Sequence, residues 1–164
     1  MAGNTLEIKK ETKPQRSGVI VVNKDLCSGC GICELACSLY HEGQCNPSLS
    51  RIDVEKIFLS LEFEPHVCIQ CDWPSCYFEC PTGAIKIDPK TGARYIDEDD
   101  CVGCGKCAEA CPLMPKSEII RYKTYEKKKI YFKCDLCKDR EEGPVCVEMC
   151  PRNALSFVPM ENRR

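Results

Sequence analysis

The chain has 164 residues and a formal charge of −2 from 23 basic and 25 acidic side chains, a balance that gives no reason to expect nucleic acid as a partner. Its 17 cysteines would suit a secreted disulfide scaffold, but they are bunched at metal-ligand spacing and the first ten residues lack an apolar signal core. With no apolar run near the roughly 20 residues of a membrane span and Arg16 standing alone without a twin-arginine signal, the expectation is a cytoplasmic protein with no membrane span.

Residues 1–17 are polar and Lys-rich, contain Pro14 and show no periodicity, and they read as a flexible N-terminal arm. The sharper alternative is an arm lying across a partner subunit. Val19-Ile20-Val21-Val22 reads as a strand. It leads to the first of four cysteine runs, Cys27-x2-Cys30-x2-Cys33-x3-Cys37. Residues 31–39 have small and apolar side chains at helical spacing and predict a helix carrying Cys33 and Cys37 on one face. Residues 40–50 predict a loop, and residues 51–63 alternate well enough for one strand or two. Pro65-His66-Val67 enters the second run, Cys68-x2-Cys71-x4-Cys76-x3-Cys80, whose insertion at residues 72–75 bulges the ligand loop. Beyond Pro81, residues 84–88 and 94–96 predict a hairpin about the turn at residues 89–92. The third run, Cys101-x2-Cys104-x2-Cys107-x3-Cys111, ends in Pro112. A predicted strand at residues 129–133 precedes the fourth, Cys134-x2-Cys137-x8-Cys146-x3-Cys150, and another at residues 154–158 follows Pro151.

The third run shows what the spacing does. A loop turning on Gly103 and Gly105 can aim three thiolates at three irons of one cube, while the fourth cysteine starts a helix and points to a neighbouring cluster. Zinc sites instead pair two CxxC units across a longer spacer. Four complete runs therefore predict four [4Fe–4S] clusters, each adding about −2 when oxidised. They also predict a thin apolar core, so that metal binding supplies the folding free energy and the apo chain is largely unfolded. The repeat of Cys-Pro-x-x-Ala at Cys80 and Cys150 marks internal duplication of a strand, ligand loop, helix and strand unit.

Outside the runs the expectations are modest. Cys45 reads as a loop or packed thiol, and His41 and His66 as surface or capping histidines in preference to residues that tune a cluster. Trp73 and Tyr77 read as shields for the cluster loops, and Lys127-Lys128-Lys129 as a solvated basic turn, with a docking patch for an acidic partner as its rival. No base, nucleophile or nucleotide loop is clustered anywhere, and Gly29-x-Gly31 lies inside a ligand loop, so no catalytic residue is assigned.

The short hairpin between Cys80 and Cys101 joins the second run to the third, leaving the first and fourth to pair around them; pairing in sequence, first with second and third with fourth, is the alternative. Cys68-x2-Cys71-Asp-Trp-Pro74-Ser-Cys76-x3-Cys80-Pro81-Thr-Gly-Ala84 and Cys134-x2-Cys137, followed by Gly143-Pro144-Val-Cys146 and Cys150-Pro151, carry a resemblance. Over about residues 20–158 the chain resembles the four-cluster iron–sulfur subunits of molybdenum and tungsten pterin oxidoreductases, the dimethyl sulfoxide reductase iron–sulfur subunit family. Its size and the stretch Cys37-Ser-Leu-Tyr-His41 are most similar to the small iron–sulfur subunit of tungsten aldehyde oxidoreductases and related benzoyl-CoA reductases. Ser38 departs from the proline expected after a fourth cysteine.

The resemblance implies an α+β fold of two nested bacterial-type two-[4Fe–4S] ferredoxin units, with residues 64–112 inserted into an outer unit of residues 18–63 plus 113–164. It implies one cluster on Cys27, Cys30, Cys33 and Cys150, a second on Cys134, Cys137, Cys146 and Cys37, a third on Cys68, Cys71, Cys76 and Cys111, and a fourth on Cys101, Cys104, Cys107 and Cys80. The function implied is that of a non-catalytic electron-transfer subunit between a pterin-containing catalytic subunit and a flavoprotein or soluble ferredoxin. A subunit of a hydrogenase, carbon monoxide dehydrogenase or benzoyl-CoA reductase complex is the alternative. A linear row of clusters would also permit end-to-end self-association.

Overall fold

The β-branched stretch near the start forms strand β1, Gly18–Val22, in the computed structural model, which describes residues 18–159. The arm read over residues 1–17 lies outside the described residues. β1 pairs antiparallel with the last strand, β8 at Leu155–Pro159, with Val19 opposite Val158 and Ile20 opposite Phe157. Both ends of the described chain are thus tied into one ladder, and Val19 and Ile20 are buried beneath it. The predicted hairpin at residues 84–96 is present as β4, Ile85–Ile87, and β5, Arg94–Ile96. Its turn is held by the Asp88 carboxylate, which accepts from the Thr91 N–H and hydroxyl at 2.6 Å each.

Residues 51–67 resolve into two strands, β2 at Ile52–Ile57 and β3 at Glu62–Val67. Pro65 lies within β3 opposite Val54, a position open to proline because a two-stranded sheet consists of edges only. A strand absent from the sequence reading, β6 at Ile120–Tyr125, pairs with β7 at Lys128–Lys133. Their turn places Glu126 at φ 46° and Lys127 at φ 69°, the two positive values of a type I′ hairpin. The basic turn read over residues 127–129 is narrower: Lys127 turns, Lys128 joins the strand that was read from Lys129 onward, all three side chains stay exposed, and the Lys129 ammonium lies 4.6 Å above the Tyr122 ring. Among the described residues the strands make four separate two-stranded sheets.

The first helix, α1 at Ile32–Glu42, runs past the expected end at Leu39. Ser38 explains the extension, because unlike proline it keeps its N–H and places no ring against the preceding turn. Its buried hydroxyl donates to the Leu35 carbonyl at 3.1 Å and accepts from the Asn46 N–H at 3.0 Å. The helix stops at Gly43, which takes φ 70° and returns its N–H to Leu39, the left-handed stop that glycine provides at least cost. In the other runs Pro81, Pro112 and Pro151 follow the last cysteine, and α2 at Ser75–Phe78, α3 at Lys106–Ala110 and α4 at Val145–Glu148 end before it.

Helix α1 packs against α4, and α2 against α3. The interior is continuous, but Ile20, Ile52, Ile85, Ile120 and Leu136 share it with Cys33, Cys37, Cys68, Cys107 and Cys134. The ligand loops press directly on the hairpins. A Cβ at Gly103 would lie far inside contact distance of the Lys129 carbonyl oxygen, at a φ of 75°. Gly103→Ala is therefore expected to displace the loop of the third run and to lower iron per chain. Gly43→Ala, with an equally positive φ but no neighbouring atom, should cost about 1–2 kcal/mol of backbone strain and keep its iron. Iron analysis and thermal midpoints of the two variants check this.

Candidate metal centres

Each ligand loop ends where a helix begins, so packing one helix on another brings cysteines distant in sequence together. Cys68, Cys71, Cys76 and Cys111 line one small void next to the packed pair α2 and α3. Cys27, Cys30, Cys33 and Cys150 line a second, and Cys80, Cys101, Cys104 and Cys107 a third. Four thiols in each wall make these three copies of one kind of site. Each takes three thiols from one run and one from another. Cys37, Cys134, Cys137 and Cys146 are linked electrostatically: Cys37 and Cys137, with Cys33, raise the cost of ionising Cys146; Cys146, with Cys68, acts on Cys134; and Cys37 acts on Cys137. All sixteen are free thiols in the structure, and Cys45 is exposed in the loop after α1.

As bare thiols several of these groups resist ionisation. Burial above all pushes Cys33, Cys107 and Cys137 up to about 12 and Cys76 up to about 11. Cys134 and Cys146 rise well above the ordinary thiol value for the same reason. Crowding by neighbouring thiols adds to the effect. A bound cation reverses that balance and deprotonates the thiol outright, so the donor set fits a site for several iron ions. Cys80 moves the other way: burial pushes it up, but the Ile85 N–H, the Thr82 hydroxyl and two further backbone donors outweigh burial and leave it below the usual value.

Backbone donors are already aimed at the sulfurs. Arg51 N–H donates to Cys37 Sγ at 3.3 Å, Tyr131 N–H to Cys101 Sγ at 3.5 Å, Leu136 N–H to Cys134 Sγ at 3.4 Å and Ala154 N–H to Cys150 Sγ at 3.3 Å. Such bonds, with cluster charge and exposure, set reduction potentials over hundreds of millivolts.

Residues 59–160 match the profile of the 4Fe-4S dicluster domain, well over half of the chain. The chain belongs to the 4Fe-4S dicluster family. The polyferredoxin-like subunit of an aliphatic sulfonate oxidoreductase from Pyrococcus furiosus is 42% identical over 132 residues, covering 80% of this chain and 70% of that protein. A subunit of the anaerobic dimethyl sulfoxide reductase from Escherichia coli is 34% identical, covering 87% of this chain and 74% of that subunit. Among solved structures, a chain of the active site complex BamBC of benzoyl coenzyme A reductase with benzoyl-CoA superposes with a TM-score of 0.51 at 25% identity, covering 88% of this chain and 81% of that chain.

Several side chains of this dicluster protein lie where sequence reasoning did not put them. His41, read as a surface or capping residue, is inside: its Nε2 lies 3.4 Å from Asp135 Oδ1 and 3.8 Å from Cys137 Sγ. The extra turn of α1 carries it there. Burial and the nearby Arg51 guanidinium hold His41 down at about 4, so it is neutral near pH 7 and adds no cation beside Cys137. Arg51 satisfies the buried Asp135 at 3.1 Å. His66 meets the surface reading, with Nε2 3.0 Å from Glu55 and Nδ1 3.2 Å from the Ser117 hydroxyl. Tyr77 packs on the core, whereas Trp73 is half exposed and leans on Phe78.

The buried polar group around the Cys68 void was missed. Gln70 is fully buried; its amide nitrogen donates to the Cys134 carbonyl at 2.9 Å and its oxygen accepts from the Arg94 N–H at 2.7 Å. Lys133, 2% exposed, points into the same void. The only sequence signal for Lys133 was its position, last in a strand and next to Cys134. No helix among the described residues is long and apolar enough to cross a membrane.

Proposed function

We propose that the chain is an electron-transfer subunit carrying four [4Fe–4S] clusters in two nested ferredoxin units, residues 64–112 inserted into residues 18–63 plus 113–164. The ligand sets are Cys27, Cys30, Cys33 and Cys150; Cys134, Cys137, Cys146 and Cys37; Cys68, Cys71, Cys76 and Cys111; and Cys101, Cys104, Cys107 and Cys80. The single observation that carries this reading is the grouping of three thiols from one run with one from another, first with fourth and second with third. Pairing of β1 with β8 and packing of α1 on α4 support the outer unit, and α2 on α3 the inner. Each bound cluster supplies one-electron chemistry, and the chain supplies thiolates, N–H donors, fixed charge and exclusion of water.

The partners in this reading are a pterin-containing tungsten or molybdenum subunit of the aldehyde oxidoreductase kind and a flavoprotein or soluble ferredoxin, with single electrons relayed between them. The relationship to a polyferredoxin-like oxidoreductase subunit at 42% identity supports this assignment. A place in a benzoyl-CoA reductase complex is the second reading, favoured by the structural likeness to BamBC. Both put substrate chemistry on the partner and place the subunit in a reducing cytoplasm.

Anaerobically prepared protein should contain about sixteen irons and as many sulfides per chain, four for each cluster. Affinity purification from the native source should bring down a large subunit containing tungsten or molybdenum, whose substrate then bleaches the visible absorbance of the chain. Zinc without sulfide, or turnover of a substrate by this chain alone, would overturn the proposal.

A further inference from the structure

Three voids lined by cysteine can be compared for the charge that faces them. The Cys27 void has Arg152, which is exposed, and the Cys80 void has no charged lining residue. The Cys68 void alone has buried cations in its wall, Arg94 at 1% exposure and Lys133 at 2%. Around the Cys37, Cys134, Cys137 and Cys146 group, Arg51 is matched by Asp135.

The Lys133 ammonium has three protons to donate and no other chemistry. Among the described residues it meets three acceptors: Cys68 Sγ at 3.5 Å, the Cys134 carbonyl at 3.2 Å and the Arg94 carbonyl. No carboxylate is among them, so its charge is offset only by dipoles and by sulfur. Its field also works against burial at Cys71 and Cys76, making both thiols easier to ionise. Gln70 ties the same two carbonyls from the other side, so the ammonium is held between rigid partners. The side chain therefore runs from the backbone beside Cys134, in one proposed ligand set, to the sulfur of Cys68, in another.

Resting on the four-cluster reading above, we propose that Lys133 is a positioning residue for electron transfer: its fixed positive charge holds the site of Cys68, Cys71, Cys76 and Cys111 at the highest reduction potential of the four, so that electrons collect there first. The physical basis is that reduction adds one negative charge to the site. A buried cation in hydrogen-bond contact with a ligand stabilises the reduced form more than the oxidised one, and burial keeps solvent from screening it. The electron arrives from whichever neighbouring centre is oxidised in the same step.

The test is a potentiometric titration followed by electron paramagnetic resonance on the full chain, comparing the unaltered protein with Lys133→Met and Lys133→Arg. Iron and sulfide analysis comes first: fewer than four reducible clusters in the unaltered protein would overturn the four-cluster reading itself. Given four, Lys133→Met is expected to move the highest-potential step downward by at least tenfold in its equilibrium constant, 59 mV for one electron. The other three should move less, and Lys133→Arg should restore most of the shift. A highest step unmoved in a fully loaded Lys133→Met, or shifted equally in Lys133→Arg, would overturn the role of the charge.

Should Lys133→Met lose a cluster, the unaltered protein decides. With [15N]lysine incorporated, pulsed spectroscopy of the first-reduced cluster should show coupling to one nitrogen. A first-reduced cluster without that coupling would overturn the proposal.

Discussion

Stripping iron and sulfide from this chain with a chelator under reducing conditions is expected to unfold it, with loss of the far-ultraviolet signal of its strands and of slow amide exchange. The reason lies in the size of its parts. The strands make four isolated two-stranded sheets, and a lone hairpin is marginal in water. The helices run from 4 residues in α2 and α4 to 11 in α1, below the 12–15 or so at which an isolated helix begins to hold. Only the interior joins them, and much of that interior is cysteine sulfur around small voids. At each site without metal the sulfurs lose the bonds that join one element to another, and the binding free energy that counts toward folding goes with them. A total stability of roughly 5–15 kcal/mol cannot absorb several such losses. Re-adding iron and sulfide should restore the structure; an apo chain that still melts cooperatively would show that the apolar core suffices by itself.

What could be seen in the sequence follows the strength of the local constraint. Thiolate spacing is strict, so all four runs were plain, and the hairpin at residues 84–96 was plain because Pro89 and Gly92 bracket its turn. The β6–β7 hairpin was hidden because Glu126 and Lys127 adopt left-handed backbone without the glycine or asparagine that usually announces it. Helix α1 was cut short because the loop-like stretch from Tyr40 onward drew the boundary back from Gly43, whose left-handed stop is the physical end. His41, Gln70 and Lys133 were beyond reach for a different reason. Their roles depend on groups 96, 64 and 65 positions away, namely Cys137, Cys134 and Cys68, and no local pattern marks such contacts.

The pairing of the runs can be settled with two double variants, whose expected iron contents differ most between the competing schemes. Cys30 and Cys104 are both exposed, so truncating either removes a ligand with little loss of packing. Cys150 is the discriminating residue, because its sulfur lies with the first run in the Cys27 void, whereas pairing in sequence order would give it to the third run. Each single change to alanine is expected to lose one cluster and leave about twelve irons per chain. In the nested scheme Cys30→Ala and Cys150→Ala strike the same cluster, so the double variant should still hold about twelve, the non-additivity expected of residues that act as a unit. Cys104→Ala with Cys150→Ala strikes two clusters and should leave about eight. Sequential pairing predicts the reverse, with the Cys104 double at the higher count. Helix packing favours the first outcome, since α1 lies on α4 and α2 on α3, which puts the fourth cysteine of each run next to the loop of the other.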